Sequence, residues 1–161
     1  MKEFYPISEK DTEALESVCK KLPENANILE IGCGNSTSVL MKYGTLTSVD
    51  IDQERLDFYK PNKAICISSL DFIPTEMYDL IFIDGEHIYN FIYNDLEKLY
   101  PQVKSGGFLT GHDYEGLPFD EAFIHTDCVG EKHHGVVKAV SEKLKEVTTY
   151  PNSCVWSIQK L

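Results

Sequence analysis

The chain has 161 residues and a mass of 18.3 kDa, with 42% hydrophobic and 25% charged residues, enough to bury the core of one domain and too little for two. A formal net charge of −11 at pH 7, a pI near 4.8 and a single arginine, Arg55, exclude a phosphate-neutralising surface and with it duplex nucleic acid as a partner. No apolar stretch reaches the ~18 residues of a membrane span, the opening MKEFYPISEKDTEALE is too polar for a secretory signal, and the cysteines at 19, 33, 66, 128 and 154 form no Cys-x-x-Cys; a cytoplasmic protein with reduced thiols and no membrane partner is expected.

Ser8 and Asp11 form a capping pair, and Leu15, Val18 and Leu22 recur at helical spacing until Pro23, which predicts an amphipathic first helix. Runs of strand character follow at 27–31 (NILEI), 46–50 (LTSVD), 64–67 (AICI), 79–83 (DLIFI) and 107–111 (GFLTG), with helical stretches near 36–43, 53–60 and 88–100 between them. Short apolar strands alternating with helices indicate a parallel sheet covered on both faces. The ending differs. A helical stretch at 135–146 leads into VTTY and CVWSIQ, separated by Pro151-Asn152-Ser153, which reads as an antiparallel hairpin. The expected organisation is one α/β domain over 1–161, with an N-terminal helical segment at 1–23 and the core at 24–161. Residues 113–134 are its one long irregular stretch, and such loops are usually functional or mobile.

The first strand ends in Glu30-Ile31-Gly32-Cys33-Gly34. A strand, a tight glycine turn and a helix start bring main chain close to a ligand, because glycine removes Cβ. Thr37 stands where a dinucleotide-binding turn has its third glycine, which weakens a pyrophosphate reading. Asp50, sixteen residues after Gly34 at the end of the second strand, is placed to accept both hydroxyls of a ribose. Asp52 reads as the N-cap of the next helix. Ser68, Ser69 and Leu70 follow the third strand, where a purine edge would lie or a plain polar turn would serve.

Asp84 ends the fourth strand and His112-Asp113 the fifth. In a parallel sheet all three lie on the carboxyl edge, on strands ~4.8 Å apart, where two carboxylates repel unless they share a proton or a cation. His87 adds a nitrogen ligand or a base. The competing structural reading makes Asp84 a helix cap and leaves His112 and Asp113 to loop hydrogen bonds. Gly106-Gly107 reads as a turn before a strand, His133 and His134 as solvent-exposed, and Tyr89, Phe91 and Tyr93 as packing or rim residues.

Taken together, these residues resemble a class I S-adenosylmethionine-dependent methyltransferase. Glu30 to Gly34 are similar to that family's first motif, Asp50 to its acidic second motif, and the terminal hairpin to its sixth and seventh strands. DGEHIYNFIYNDLEKLYPQVKSGGFLTGHDY with GVVKAV resembles the small methyltransferase-24-type branch, patterned Asp-Gly-x-His-x-Tyr, Gly-Gly, His-Asp-Tyr, over roughly residues 26–160. The resemblance implies a Rossmann-like seven-stranded mixed sheet, parallel with a C-terminal antiparallel hairpin and flanked by helices. It also implies that Glu30, Gly32, Cys33, Gly34 and Ser36 hold the methionine end of S-adenosylmethionine, with Asp50 on the ribose, Ser69 and Leu70 on the base, and Asp84 near the methyl group. Ser36 is a departure, since many relatives have another glycine there.

The reaction implied is in-line attack of an acceptor oxygen of a small molecule on the methyl group, helped by alignment and a lowered acceptor pKa. Asp84, His112 and Asp113 would hold magnesium or manganese, and His87 or His112 shifts the preference toward manganese, iron or zinc. A metal-free alternative makes His112 or His87 the base, oriented by the aspartates. A nicotinamide oxidoreductase and a non-catalytic cofactor-binding module or partner subunit are the rival classes. The short chain leaves the acceptor wall to the 113–134 segment, expected to act as a lid, or to a second copy in a homodimer.

Overall fold

The computed structural model describes residues 7–161; residues 1–6, with which the expected helical segment 1–23 begins, lie outside the described residues. Helix α1 (Glu9–Cys19) starts where Ser8 Oγ accepts the Asp11 N–H, and buries Ala14, Leu15, Val18 and Cys19. Strands β1 (Ala26–Ile31), β2 (Gly44–Asp50), β3 (Lys63–Cys66), β4 (Tyr78–Ile83), β5 (Val103–Gly111), β6 (Thr148–Thr149) and β7 (Trp156–Gln159) form one sheet in the order β3-β2-β1-β4-β5-β7-β6. Pairings from β3 through β5 are parallel, whereas β7 runs antiparallel to β5 and to β6. The expected Rossmann-like mixed sheet is what forms.

Alternation along β1 and β4 builds the two cores. Leu29, Ile31, Ile81 and Ile83 face α4 (Tyr89–Leu99) and α5 (His134–Lys143), with Leu96, Val140 and Trp156, while Ile28, Leu80 and Phe82 face α1 and α2 (Asn35–Leu40), with Leu15 and Leu40. Both faces being covered explains the near-continuous apolar strands. Asp52 caps α3 (Gln53–Tyr59) as its position predicts, accepting from Glu54 N–H and Arg55 N–H. Among the described residues no helix is long and apolar enough to cross a membrane.

Strand order reverses between β1 and β4, and there the strand ends approach closely. Gly32 has φ +89°, and a Cβ on it would lie 2.1 Å from the Asp84 carbonyl oxygen. Backbone proximity between two strands therefore requires this glycine, before any ligand is considered. Gly106-Gly107 lies within β5 and not in a turn ahead of it. The β4–β5 register passes from Tyr78↔Val103 to Leu80↔Phe108, so the pair forms a bulge; a Cβ on Gly107 would meet the Asp79 carbonyl at 2.7 Å, and Gly106 has the positive φ that bulges recruit glycine for.

Glu30 is the one charged residue of β1 and is wholly buried. Ser36 Oγ donates to its Oε1 at 2.5 Å, and Thr37 Oγ1 and Ser48 Oγ donate to its Oε2 at 2.8 and 2.5 Å. Burial pushes its carboxyl up to about 7, the three hydroxyls offsetting part of the rise. The 113–134 segment is built rather than irregular throughout: it holds a 3-10 turn at Glu121–Phe123 and a Val129–Lys132 bridge, and the Ile124 carbonyl accepts the Tyr89 N–H at 2.9 Å.

Two outcomes follow from the strand ends. Gly32→Ala forces a Cβ into the Asp84 backbone at positive φ and should cost at least about 3 kcal/mol in urea denaturation. For Glu30, the folded pKa of about 7 lies above the ordinary glutamate value of 4.5, so its ionisation opposes folding at high pH and the penalty is relieved as pH falls through 7 toward 4.5. Stability measured relative to Glu30→Gln should accordingly decline as pH rises from 5 to 8; an unchanged difference would mean that the residue titrates normally.

Candidate active site

Above the carboxyl ends of β1 and β2 lies a cleft of about 270 Å³ lined by Gly32, Asp50, Ile67, Ser69, Glu86 and Phe91, among others. Asp50 Oδ2 accepts the Cys33 N–H at 2.7 Å and its Oδ1 accepts the Asp52 N–H at 2.7 Å, so the carboxylate ties the glycine turn to the end of β2 while lining the cleft. Arg55 Nη1 lies 4.0 Å from Asp50 Oδ2. Lys98 Nζ donates to the Ser69 carbonyl and stands 3.8 Å from the wholly buried Asp95, so α4 fixes the loop that carries Ser69.

Several residues expected to contact the cofactor lie outside the lining of this cleft. Glu30 and Ser36 do not line the cleft; they hydrogen-bond to each other beneath the glycine turn, because β1 is covered on both faces and Glu30 points into the protein. Cys33 is buried, and Gly34 is the N-cap of α2, its N–H accepted by Thr37 Oγ1. That hydroxyl also donates to Glu30, which accounts for a threonine at the third-glycine position. Leu70 is 44% exposed and outside the lining, where Ile67 and Ser68 stand instead. Asp84 lines a second, smaller cavity and not the cleft itself. Phe91 lines the cleft in keeping with the packing or rim position expected of it, whereas Glu86, at the variable position of the Asp-Gly-x-His pattern, carries no signal of its own.

The second cavity, about 10 Å³, is lined by Asp84, Glu86, His87, His112, Asp113 and Trp156, among others. Around it Asp113 forms a hub. Its Oδ1 lies 3.0 Å from His112 Nδ1 and 3.4 Å from His133 Nδ1, and its Oδ2 lies 2.8 Å from His87 Nε2. Asp84 Oδ1 is 3.9 Å from His112 Nδ1. Asp84 is not a helix cap, since the N-cap of α4 is Ile88. His133 is drawn into the cluster, contrary to the exposed position expected of it, and Glu115 Oε1 lies 2.6 Å from its Nδ1. Asp11 also enters from α1, 3.0 Å from His112 Nε2, and Asp127 lies 2.5 Å from His87 Nδ1. No sequence pattern links these residues to the strand ends.

The charges are strongly coupled. Burial disfavours the imidazolium of His112, but Asp11 and Asp113 outweigh it and push the pKa up to about 11. For His87 the pull of Asp113 and Asp127 likewise overcomes burial and raises it to about 9. Desolvation and the neighbouring Asp113 charge lift Asp84 above the carboxylate range, against the pull of His112 and His87. Asp113 is itself desolvated, yet His112 and His87 hold it well below that range. Asp84, His112 and Asp113 each offer one ligand atom, and these atoms lie within 4.8 Å of one another; His87, Asp113 and His133 do the same.

A family model described as a methyltransferase domain matches residues 29–114, over half of the chain. Among solved structures, the N-methyltransferase NodS from Bradyrhizobium japonicum WM9 is 17% identical, with 92% of each chain covered and a TM-score of 0.60. A protein from Corynebacterium glutamicum is 14% identical over 97% of this chain and 82% of its own, with a TM-score of 0.72. An rRNA methylase from Streptococcus thermophilus is 14% identical over 98% and 99%, with a TM-score of 0.65. No curated protein matches in sequence. The structural likenesses speak for the fold, and the match over β1 to β5 speaks for the family: the chain belongs to the methyltransferase domain family and is an S-adenosylmethionine-dependent methyltransferase.

Proposed function

We propose that the chain methylates an oxygen of a small-molecule acceptor, with Asp50 on the ribose of S-adenosylmethionine and Asp84, His112 and Asp113 on the acceptor side. The observation that carries this reading is a shared wall: Glu86 lines both the cleft and the small cavity beside the cluster. A methyl donor in the cleft and an acceptor at the cluster would then meet across one short stretch, Asp84–Glu86, and alignment is what methyl transfer chiefly needs. The net charge of −11 favours a small molecule over a nucleic-acid acceptor.

In the donor set of Asp84, His112 and Asp113 the two carboxylates suit magnesium, and the imidazole moves the preference toward manganese. A divalent cation there supplies Lewis acidity that lowers the pKa of an acceptor hydroxyl. Histidine base catalysis without a cation is less favoured. With only protons to balance the carboxylates, His87 at about 9 and His112 at about 11 are both imidazolium at neutral pH, and an imidazolium accepts no proton. Asp127 hydrogen-bonds the outer nitrogen of His87, and Asp11 stands 3.0 Å from that of His112.

Calorimetry with S-adenosylhomocysteine tests the cofactor half. Asp50→Asn weakens a charge-assisted hydrogen bond of about 1.5–3 kcal/mol, so affinity should fall roughly ten- to a hundredfold; undiminished binding would remove Asp50 from the ribose. For the acceptor half, a chelator should abolish methyl transfer to an oxygen acceptor, manganese should restore it, and S-adenosylhomocysteine binding should persist throughout. Transfer that survives exhaustive chelation and disappears in His112→Asn would replace the cation with a histidine base.

A further inference from the structure

We propose that His87, Asp113 and His133 form a second cation site, so that the Asp113 carboxylate bridges two divalent ions. The inference rests on the reading of Asp84, His112 and Asp113 as the first. Asp113 is placed for bridging: Oδ1 faces His112 and His133 and Oδ2 faces His87, at 3.0, 3.4 and 2.8 Å. The residue is held at φ +61°, a conformation uncommon outside glycine, which sets its carboxylate between the two groups of ligands.

Three segments distant in sequence supply the second site: the β4–α4 connection through His87, the end of β5 through Asp113, and the start of α5 through His133. Ligand atoms bonded to one ion at about 2.1 Å are separated by roughly 3–4 Å, so donors within 4.8 Å of one another reach that arrangement by small side-chain rotations. Glu115 Oε1, 2.6 Å from His133 Nδ1, either swings aside or joins as a further ligand.

An independent feature is the treatment of the outer nitrogens. His87 turns Nε2 inward while Nδ1 is held by Asp127 at 2.5 Å, and His112 turns Nδ1 inward while Nε2 faces Asp11 at 3.0 Å. Asp11 is in turn anchored by Ser153 Oγ at 2.7 Å and the Cys154 N–H at 2.9 Å. A carboxylate behind a histidine whose other nitrogen points into a shared centre is the arrangement that fixes the tautomer of metal-bound imidazoles. The carboxylates Asp11, Asp84, Asp113, Glu115 and Asp127 also outnumber the imidazoles His87, His112 and His133, which leaves negative charge for dications to balance. With two imidazoles and one carboxylate the second site should prefer cobalt, zinc or iron over magnesium. Because His133 and Asp127 both come from the 113–134 segment, an ion there fastens that segment to the strand ends.

Chelator-stripped protein is titrated with cobalt(II), bound metal is measured by equilibrium dialysis, and visible absorption reports the ligand field. The proposal expects two equivalents in the unaltered chain, one in His133→Ala and one in Asp84→Asn, with melting temperatures confirming that each variant is folded. His87→Gln carries the same expectation and replaces His133→Ala should that variant fail to fold. One equivalent in the unaltered chain, kept in His133→Ala and lost in Asp84→Asn, overturns the second site and leaves the first standing. One equivalent with the opposite dependence overturns the bridged pair and the first site alike, and no bound cobalt overturns every cation reading of this cluster.

Discussion

The contact between the Gly32 backbone and the Asp84 carbonyl is the constraint on which the rest of the site depends. It lies where strand order reverses, so the chain winds away from it in both directions. The cleft stands over β1 and β2, the ionic cluster over β4 and β5, and only this close approach keeps the two against one wall. A side chain at Gly32 would wedge them apart by about the width of a methyl group. Their relative position is therefore set by main chain, which is stiffer than any side-chain arrangement and insensitive to which residues line either half.

Electrostatics on the acceptor side follow from crowding rather than from any single pair. Asp84 and Asp113 sit in one cluster yet are driven in opposite directions, because Asp113 has imidazoles on both oxygens and Asp84 has one at 3.9 Å. Left with protons alone, His87 and His112 are held as imidazolium ions paired to the aspartates around them. A centre of this kind is poised to exchange protons for metal ions, since each imidazole that binds a cation releases its proton.

The sheet was legible because buried parallel strands leave apolar runs and because Pro151-Asn152-Ser153 interrupts the last two. Asp52 was legible because a cap is local. Glu30 was not: in a sheet covered on both faces, strand period alone cannot say whether an acidic residue faces a ligand or the interior, and the hydroxyls of Ser36, Thr37 and Ser48 that settle it come from two other elements. Gly106-Gly107 looks the same in sequence whether it makes a turn or a bulge. Asp84, His112 and Asp113 could be grouped because strand ends share an edge. His133, Asp11 and Asp127 could not, because loop and helix residues acquire their neighbours only from tertiary packing.

Asp11 has a further consequence. It joins α1 to Ser153 and Cys154, across 142 and 143 residues, and it supports His112 at the centre of the cluster. Contacts of such sequence separation close the longest loops in the fold. The sheet is centred on β1 and β4, but the surroundings of the His112 imidazole depend on the segment before β7 being docked against the first helix. Chemical competence in this fold is thus a property of the whole domain, since the first helix and the segment before the last strand meet behind one imidazole.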